Sequence, residues 1–274
     1  SFIQNTSEKR AISSELTPFI ASMPQNRTFL RILDAGTGDG TVKSNVIKTF
    51  HKYHPYTSLL ITGKEISYED LKNTLEKMPD RFVEHPNLLV TMTNVKFAEL
   101  GHIENANKIK NKKVKVHNLI LKEDNSFDFH TQINNLNNFI KKNWGIEIDN
   151  KSRTSYSNPC LIRIYREDHK RYLEPFIDND YEHNNYDLII ASQAYRAASA
   201  VKTKVNNVIA PLMRLLNKSG RLLVTHSCGE DTVEKILKIA YKDKKPFPNK
   251  AKDIIDFLKN NPVGENSRYS FSKP

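Results

Sequence analysis

The sequence predicts an α/β fold in which a doubly wound, mostly parallel sheet lies between two layers of helices, a three-layer αβα arrangement. Two observations lead to this prediction. Short apolar runs typical of buried strands alternate with segments of helical hydrophobic period, and the turns between them are short. The chain has 274 residues, 38% of them hydrophobic, which is enough for one large domain with a sizeable core.

The predicted elements alternate regularly in two parts of the chain. Five buried strands are expected over residues 29–35, 59–62, 88–93, 186–192 and 221–226. Helices are expected from near Gly40, over 68–78, over 205–216 with a kink at Pro211, after Gly229 and over 250–260. Residues 267–272 are expected to add a sixth strand.

Two segments fall outside this alternation. Residues 1–28 are polar with scattered apolar positions and are expected to form a helical segment or lid before the main domain, residues 29–274. Residues 97–185 are rich in Asn and Lys, and we interpret them as an insertion between the third and fourth strands that caps or flanks the sheet. An amphipathic helix around residues 133–140 and one strand over 160–165 are expected within it.

Composition narrows the classes of protein and partner. Forty-two Lys and Arg against 31 Asp and Glu give a net charge of +11, which attracts anions such as RNA or phosphates. A basic run, residues 108–115, lies within residues 97–185, and a solvated surface is the favoured interpretation of it. Two cysteines, Cys160 and Cys228, make neither a disulfide framework nor a zinc motif, and no metal is predicted.

The ends and the apolar runs carry no targeting signal. The first residues lack the basic and apolar regions of a signal peptide, and the longest apolar runs are too short to cross a bilayer. We therefore expect a cytoplasmic location and no membrane partner.

The most informative motif is a glycine turn after the first predicted strand. Gly36, Thr37, Gly38, Asp39 and Gly40 form a GxGxG pattern, whereas the dinucleotide fingerprint is GxGxxG. Glycines at this place let the backbone turn tightly and approach a ligand closely. Asp34 before the turn, like Asp39 inside it, would repel a pyrophosphate, but a carboxylate there could receive an ammonium group.

A second acidic position follows at the end of the second predicted strand. Glu65 lies 25 residues after Gly40, where an α/β nucleoside site places an acid to accept both ribose hydroxyls. Ile66, the next residue, could pack against a purine face. The glycine turn and this acid together predict a nucleoside site at one sheet edge.

Four segments resemble motifs of class I S-adenosylmethionine-dependent methyltransferases: ILDAGTGDG, LLITGKEIS, YDLIIASQAY and LLNKSGRLLVTHS. The similarity covers roughly residues 29–96 and 186–241. It implies a Rossmann-like domain with S-adenosyl-L-methionine as cofactor, whose methionine part would lie against Asp34 and the glycine turn and whose ribose against Glu65. Asn94 stands where many members of the family carry an acid for the adenine amino group, and its carbonyl could accept from that group.

Further candidates follow the fourth and fifth predicted strands, at the sheet edge where α/β folds bind ligands. Ser192 and Gln193 complete the predicted cofactor site. Tyr195 could orient an amine or form an aromatic wall around a cation, or it could simply pack under the next helix. His226 could act as a base near neutral pH, or it could be structural.

These observations favour an S-adenosylmethionine-dependent methyltransferase acting on a small molecule. The same chemistry on RNA or another macromolecule stays open, as does a non-catalytic binding module that keeps the fold. The GxGxG spacing and Asp39 argue against an NAD-dependent oxidoreductase on this fold.

Overall fold

The computed structural model describes residues 2–103, 107–148, 154–177, 186–192, 194–225, 239, 248–261 and 269–272. Its centre is a seven-stranded, mostly parallel sheet flanked by helices, and the predicted α/β class is confirmed at this level. The strands of this sheet are β1 (Phe29–Asp34), β2 (Ser58–Lys64), β3 (Leu88–Thr93), β6 (Lys115–Leu121), β9 (Cys160–Arg166), β10 (Tyr186–Ala191) and β11 (Leu216–Val224).

The strand order is β11-β10-β1-β2-β3-β9-β6. The first five strands are mutually parallel, β9 runs antiparallel to β3, and β6 runs parallel to β9. Two small hairpins lie outside the sheet. They are β4 (Lys108–Ile109) with β5 (Lys112–Lys113), and β7 (Ile146–Ile148) with β8 (Thr154–Tyr156).

Helices connect and cover the strands. A 3₁₀ turn spans Phe97–His102 and a π-helical turn spans Val205–Ile209. The α-helices are α1 (Phe2–Ala21), α2 (Thr41–Tyr53), α3 (Tyr68–Glu76), α4 (Pro79–Glu84), α5 (Ser126–Asn134), α6 (Asn137–Asn143), α7 (Lys170–Ile177), α8 (Val201–Lys204), α9 (Ala210–Met213) and α10 (Ala251–Asn260).

Alternating strand residues supply two separate apolar clusters, because successive side chains of a strand point to opposite faces. Ile32 of β1 belongs to a cluster with Leu16 of α1 and Phe50 of α2. Its neighbour Leu33 belongs to another cluster with Leu212 of α9. Apolar clusters on both faces of the sheet are compatible with a layer of helices on each side of it, a three-layer arrangement.

Residues 97–185 do more than flank the sheet. They contribute β9, expected from the sequence, and β6, which was not expected, so both extend the central sheet beyond β3. The edge strand β6 alternates between exposed and half-buried positions and carries polar residues, so its apolar signal is weak. The single helix expected around 133–140 is two short helices, α5 and α6.

The prediction of a single helix over 205–216 is wrong in the type of helix and in the residue at which the helix ends. Instead, α8, the π-helical turn and α9 follow each other, and α9 ends at Met213. Pro211 has no backbone N–H and cannot make a regular helical bond, and the Ala210 N–H bonds back to the Val205 carbonyl in the wider π spacing. Leu216, placed in that helix by the sequence pattern, begins β11.

The fifth strand, expected from residue 221, begins earlier, at Leu216, and it contains an irregularity. The strand pairs with β10 at Leu216 and then again from Arg221, so the intervening residues bulge out of register. Of the other expected elements, residues 250–260 do form a helix, α10. Residues 269–272 are not a strand, and the expected helix after Gly229 and the rest of the sixth strand lie outside the described residues.

Candidate functional site

A cavity of about 380 Å³ opens at the carboxyl ends of the parallel strands. β1 lies at its centre, flanked by β2 on one side and β10 on the other. The chain moves outward from β1 through β2 and β3 and later returns to the opposite side as β10. Ligands of open α/β sheets bind at such a point of reversal. The predicted site residues that line it are Gly36, Thr37, Gly38, Asp39, Glu65 and Ser192.

The three glycines of the turn have different reasons to be glycine. A Cβ at Gly36 would lie 2.8 Å from the Ser192 carbonyl oxygen, so this position lets β1 and β10 approach. A Cβ at Gly40, where φ is 77°, would lie 2.7 Å from Cα of Thr74 in α3. Gly38 also has a left-handed φ, of 54°, but a Cβ there would meet nothing within 4 Å. Gly36 and Gly40 therefore serve packing, while Gly38 leaves space beside the cavity.

Glu65 follows β2 directly and its carboxylate is held by backbone amides. Oε2 accepts a hydrogen bond from the Gly38 N–H at 2.8 Å. Oε1 accepts from the Ile66 N–H at 2.7 Å and from the Ser67 N–H at 2.8 Å. The side chain is buried yet lines the cavity. It therefore ties the glycine turn to the start of α3, where Ser67 is the N-cap and accepts from the Asp70 N–H.

Asp34, the last residue of β1, lies beneath the glycine turn. Asp34 is 1% exposed, and neither of its carboxylate oxygens has a hydrogen-bond partner among the residues that the structure describes. Burial raises the pKa of Asp34 to about 6. The positive charge of Lys43 and the nearby Gly36 N–H oppose that rise, but the Gly36 N–H does not form a hydrogen bond with the carboxylate. Asp34 is not among the residues that line the cavity.

Lys43 of α2 is the nearby buried cation. It is fully buried, with its ammonium nitrogen 3.2 Å from the Met92 sulfur, and a Cβ at Gly63 of β2 would collide with it. Burial lowers the pKa of Lys43 to about 8, and Asp34 opposes the change. The sequence pattern gave no signal for this residue, because a lysine in an amphipathic helix is ordinarily solvated.

Asp39, inside the turn, has a different environment. Its carboxylate accepts from the Thr41 N–H and from the Thr41 hydroxyl, which anchors the start of α2. Lys9 of α1 forms an ion pair with it at 2.8 Å, and both residues line the cavity. Burial tends to raise the pKa of Asp39, but the bonds from Lys9 and Thr41 prevail and hold it below its usual range. The carboxylate expected to receive an ammonium group already holds one from the chain itself.

A second lysine in the cavity was also missed by sequence reasoning. Lys64, the last residue of β2, lines the cavity, and its ammonium lies 5.1 Å from the ring centroid of Phe97. Burial lowers the pKa of Lys64, partly offset by Glu65. Its position directly before the predicted ribose acid, at the end of a buried strand, was the available signal.

Ile66 and Asn94 do not line the cavity. Ile66 is half-buried. Asn94 is 1% exposed, and its amide bridges to the chain that enters β9: Nδ2 donates to the Asn158 carbonyl and Oδ1 accepts from the Cys160 N–H, both at 2.9 Å. These bonds give Asn94 a structural task, so its contacts do not support the predicted bond to an adenine amino group.

The two predicted catalytic residues have different outcomes. Tyr195 is half-buried beside two apolar clusters, with the Lys204 ammonium 5.3 Å from its ring centroid. Burial raises the pKa of Tyr195 to about 12, so its phenol stays protonated near neutral pH. Ala194, its neighbour, lines the cavity and Tyr195 does not. His226 and the predicted cofactor residue Gln193 lie outside the described residues.

Acidic neighbours neutralise part of the charge of the basic run 108–115. Lys110 pairs with Glu99 and Lys112 with Glu147, each at 2.8 Å. None of the run's residues lines the cavity. Within the described ranges, no group of three or more His, Cys, Asp or Glu side chains is arranged to hold a metal ion.

Comparison with known proteins gives no family assignment: no protein-family model matches the chain, and no curated protein matches its sequence. In the part of the chain that the structure describes, none of the helices is both long and apolar enough to cross a membrane. The fold and the site define the class of the protein only as a mostly parallel α/β domain with a ligand-sized cavity at the reversal of strand order.

Proposed function

We propose that the chain is an S-adenosylmethionine-dependent methyltransferase that acts on a small molecule. The observation that carries the proposal is one shared cavity, which the glycine turn and Glu65 both line at the carboxyl edge of a parallel sheet. On this proposal, residues 97–185 are an insertion into a methyltransferase-like domain, and two of its strands widen the sheet.

The residues present fit this cofactor in part. Gly38 leaves open space at the turn, as close contact with a ligand requires. An ionised carboxylate offers about four acceptor positions. Glu65 uses three of them on backbone amides, so Oε2 retains one for a ribose hydroxyl. The proposed ribose contact is therefore a single bond unless Glu65 releases an amide.

The bound cofactor would supply a methyl group already activated by its sulfonium. The protein's tasks would then be to orient an acceptor and, where needed, to remove a proton. Because the Tyr195 phenol stays protonated near neutral pH, it is a hydrogen-bond donor rather than a base, and any base has to come from another residue. No residue of the basic run 108–115 lines the cavity, which favours a small acceptor over RNA.

Calorimetric titration tests the proposal directly. We expect S-adenosylhomocysteine to bind and NAD not to bind, because the turn lacks the dinucleotide spacing. No heat from S-adenosylhomocysteine, or clear binding of NAD, would overturn the proposal.

Glu65→Gln tests the ribose contact. It removes the charge while keeping a side chain of similar size, and its single carbonyl oxygen can accept either from the Gly38 N–H or from the Ile66 and Ser67 amides. Loss of one charge-assisted bond is worth about 1.5–3 kcal/mol, and S-adenosylhomocysteine should bind roughly 10- to 100-fold more weakly. Glu69→Gln, at an exposed position outside the lining, is the matched control and should bind normally. Equal affinity of the two variants would remove the ribose assignment.

A further inference from the structure

The cavity holds a cation, Lys64, that has no hydrogen-bond or ion-pair partner among the described residues, although the charge of Glu65 acts on it. The close neighbour of its ammonium is the face of Phe97. The other lysine of the lining, Lys9, is already paired with Asp39.

An ammonium at a partly desolvated place loses hydration, and a ring face replaces only part of it. A cation–π contact is worth about 0.5–2 kcal/mol, less than a full set of hydrogen bonds to a charged group. The lowered pKa of Lys64 reflects the same cost of burial. An anion beside Lys64 would restore the lost interactions.

The surroundings of Lys64 narrow the chemistry of that anion. The Lys64 ammonium is a compact point charge, and one negative charge is enough to balance it. Phe97 adds an apolar plane beside the charge, which suits the flat or aliphatic body of an organic acid. Asp39, Glu65 and Asp70 also line the cavity and oppose a larger negative charge there.

We propose that Lys64 and Phe97 form a subsite that binds the carboxylate of an organic ligand within this cavity. The proposal rests on the function proposed above and deepens it, since the carboxylate can come from two sources. One is the methyl acceptor, which would then be an organic acid. The other is the amino-acid tail of the cofactor itself.

Lys64→Met and Lys64→Arg test the subsite. Met keeps the length of the side chain without its charge, and Arg restores the charge. Lys52→Met is the matched control, because Lys52 is an exposed lysine over another ring, Tyr53 at 5.3 Å, and does not line the cavity. Thermal unfolding of each variant establishes that it is folded before binding is measured.

The acceptor arm uses benzoate and benzamide, which differ in charge but little in shape, titrated with and without saturating S-adenosylhomocysteine. If the acceptor supplies the carboxylate, the wild type and Lys52→Met prefer benzoate. That preference falls at least about tenfold in Lys64→Met, as expected for loss of one charge-assisted contact, and returns in Lys64→Arg.

The cofactor arm uses S-adenosylhomocysteine and 5′-methylthioadenosine, which lacks the amino-acid tail. If the tail supplies the carboxylate, Lys64→Met weakens S-adenosylhomocysteine by a similar factor and leaves 5′-methylthioadenosine unchanged. A change in either arm supports the subsite and identifies its source.

The two proposals fail in different ways. Unchanged binding in both arms for a folded Lys64→Met protein would overturn the carboxylate subsite, even where S-adenosylhomocysteine binds normally. Failure of S-adenosylhomocysteine to bind the wild type would instead overturn the methyltransferase proposal. A Lys64-dependent preference for benzoate would then still stand.

Discussion

Two aspartates of one short motif, Asp34 and Asp39, lie five residues apart and have opposite environments. The Asp34 carboxylate is buried beneath the turn, it has no hydrogen-bond partner within the described ranges, and its pKa is raised to about 6. Asp39 lines the cavity, and its carboxylate accepts from the Thr41 N–H, the Thr41 hydroxyl and the Lys9 ammonium. Its pKa is lowered. The comparison shows that the side of the glycine turn on which an acidic residue lies decides whether its carboxylate faces the cavity or is buried in the domain.

The largest expected effect concerns the pH dependence of stability caused by Asp34. The folded chain keeps this proton up to about pH 6, while an unfolded chain releases it near the ordinary value of 3.8. Between these values the folded state binds more protons, so the contribution of Asp34 to the unfolding free energy falls as pH rises. The fall amounts to about 3 kcal/mol.

Urea unfolding of the wild type and of Asp34→Asn between pH 4 and pH 7 measures this contribution. Asn does not titrate, so the variant should lose less stability than the wild type over that range. Parallel curves for the two proteins would show that Asp34 is ionised throughout and contradict the comparison with Asp39.

A smaller effect is expected from Lys43→Met. The positive charge of Lys43 holds down the pKa of Asp34, so its removal should raise that pKa further, by roughly one pH unit or about 1.4 kcal/mol. The carboxyl carbon shift of Asp34, followed by NMR during a pH titration, measures the change. Lys77→Met is the control, because Lys77 approaches Asp39 instead, at 3.8 Å. An equal titration midpoint in all three proteins would exclude coupling between Lys43 and Asp34.

The smallest effect is expected from Lys9→Met. The ion pair with Asp39 is about one-third exposed, so its loss should cost only about 0.5 kcal/mol of stability. The freed carboxylate can then accept the ammonium of a ligand, and S-adenosylhomocysteine should bind about threefold more tightly, roughly 0.6 kcal/mol. Titration calorimetry checks this, and weaker binding would mean that Lys9 itself contacts the ligand.

Much of the central sheet could be predicted from sequence because its strands are continuous apolar runs. β3 has the predicted bounds, and β1, β2 and β10 differ from prediction by a few residues. β6 was missed because an edge strand with polar residues on its open face has little apolar signal. The helix before β11 was misjudged because Pro211 leads to a π-helical turn and a short final helix rather than a simple kink.

The structure places the candidate residues 36–39 of the glycine turn around one cavity with Glu65, and it places Ile66 and Asn94 outside the lining. Glu65 lines the cavity, and its place at the end of a strand could be predicted from the local sequence alone. Asn94 was assigned to a ligand from the family resemblance, and its bond to Cys160, 66 positions away, is a contact that local pattern does not reveal. Lys9 was not predicted to line the cavity, because its ion pair with Asp39 also joins residues that are distant in the chain.

The sequence by itself determined that apolar strands alternate with helices and that a glycine turn and an acid follow two neighbouring strands. These features depend on residues close in the chain, whose periodicity and backbone freedom act locally. Only the tertiary structure decided which charges are buried, which are paired and which face the cavity. Desolvation and Coulomb interactions depend on neighbours in space, and α1, α2 and β2 bring those neighbours from distant parts of the chain.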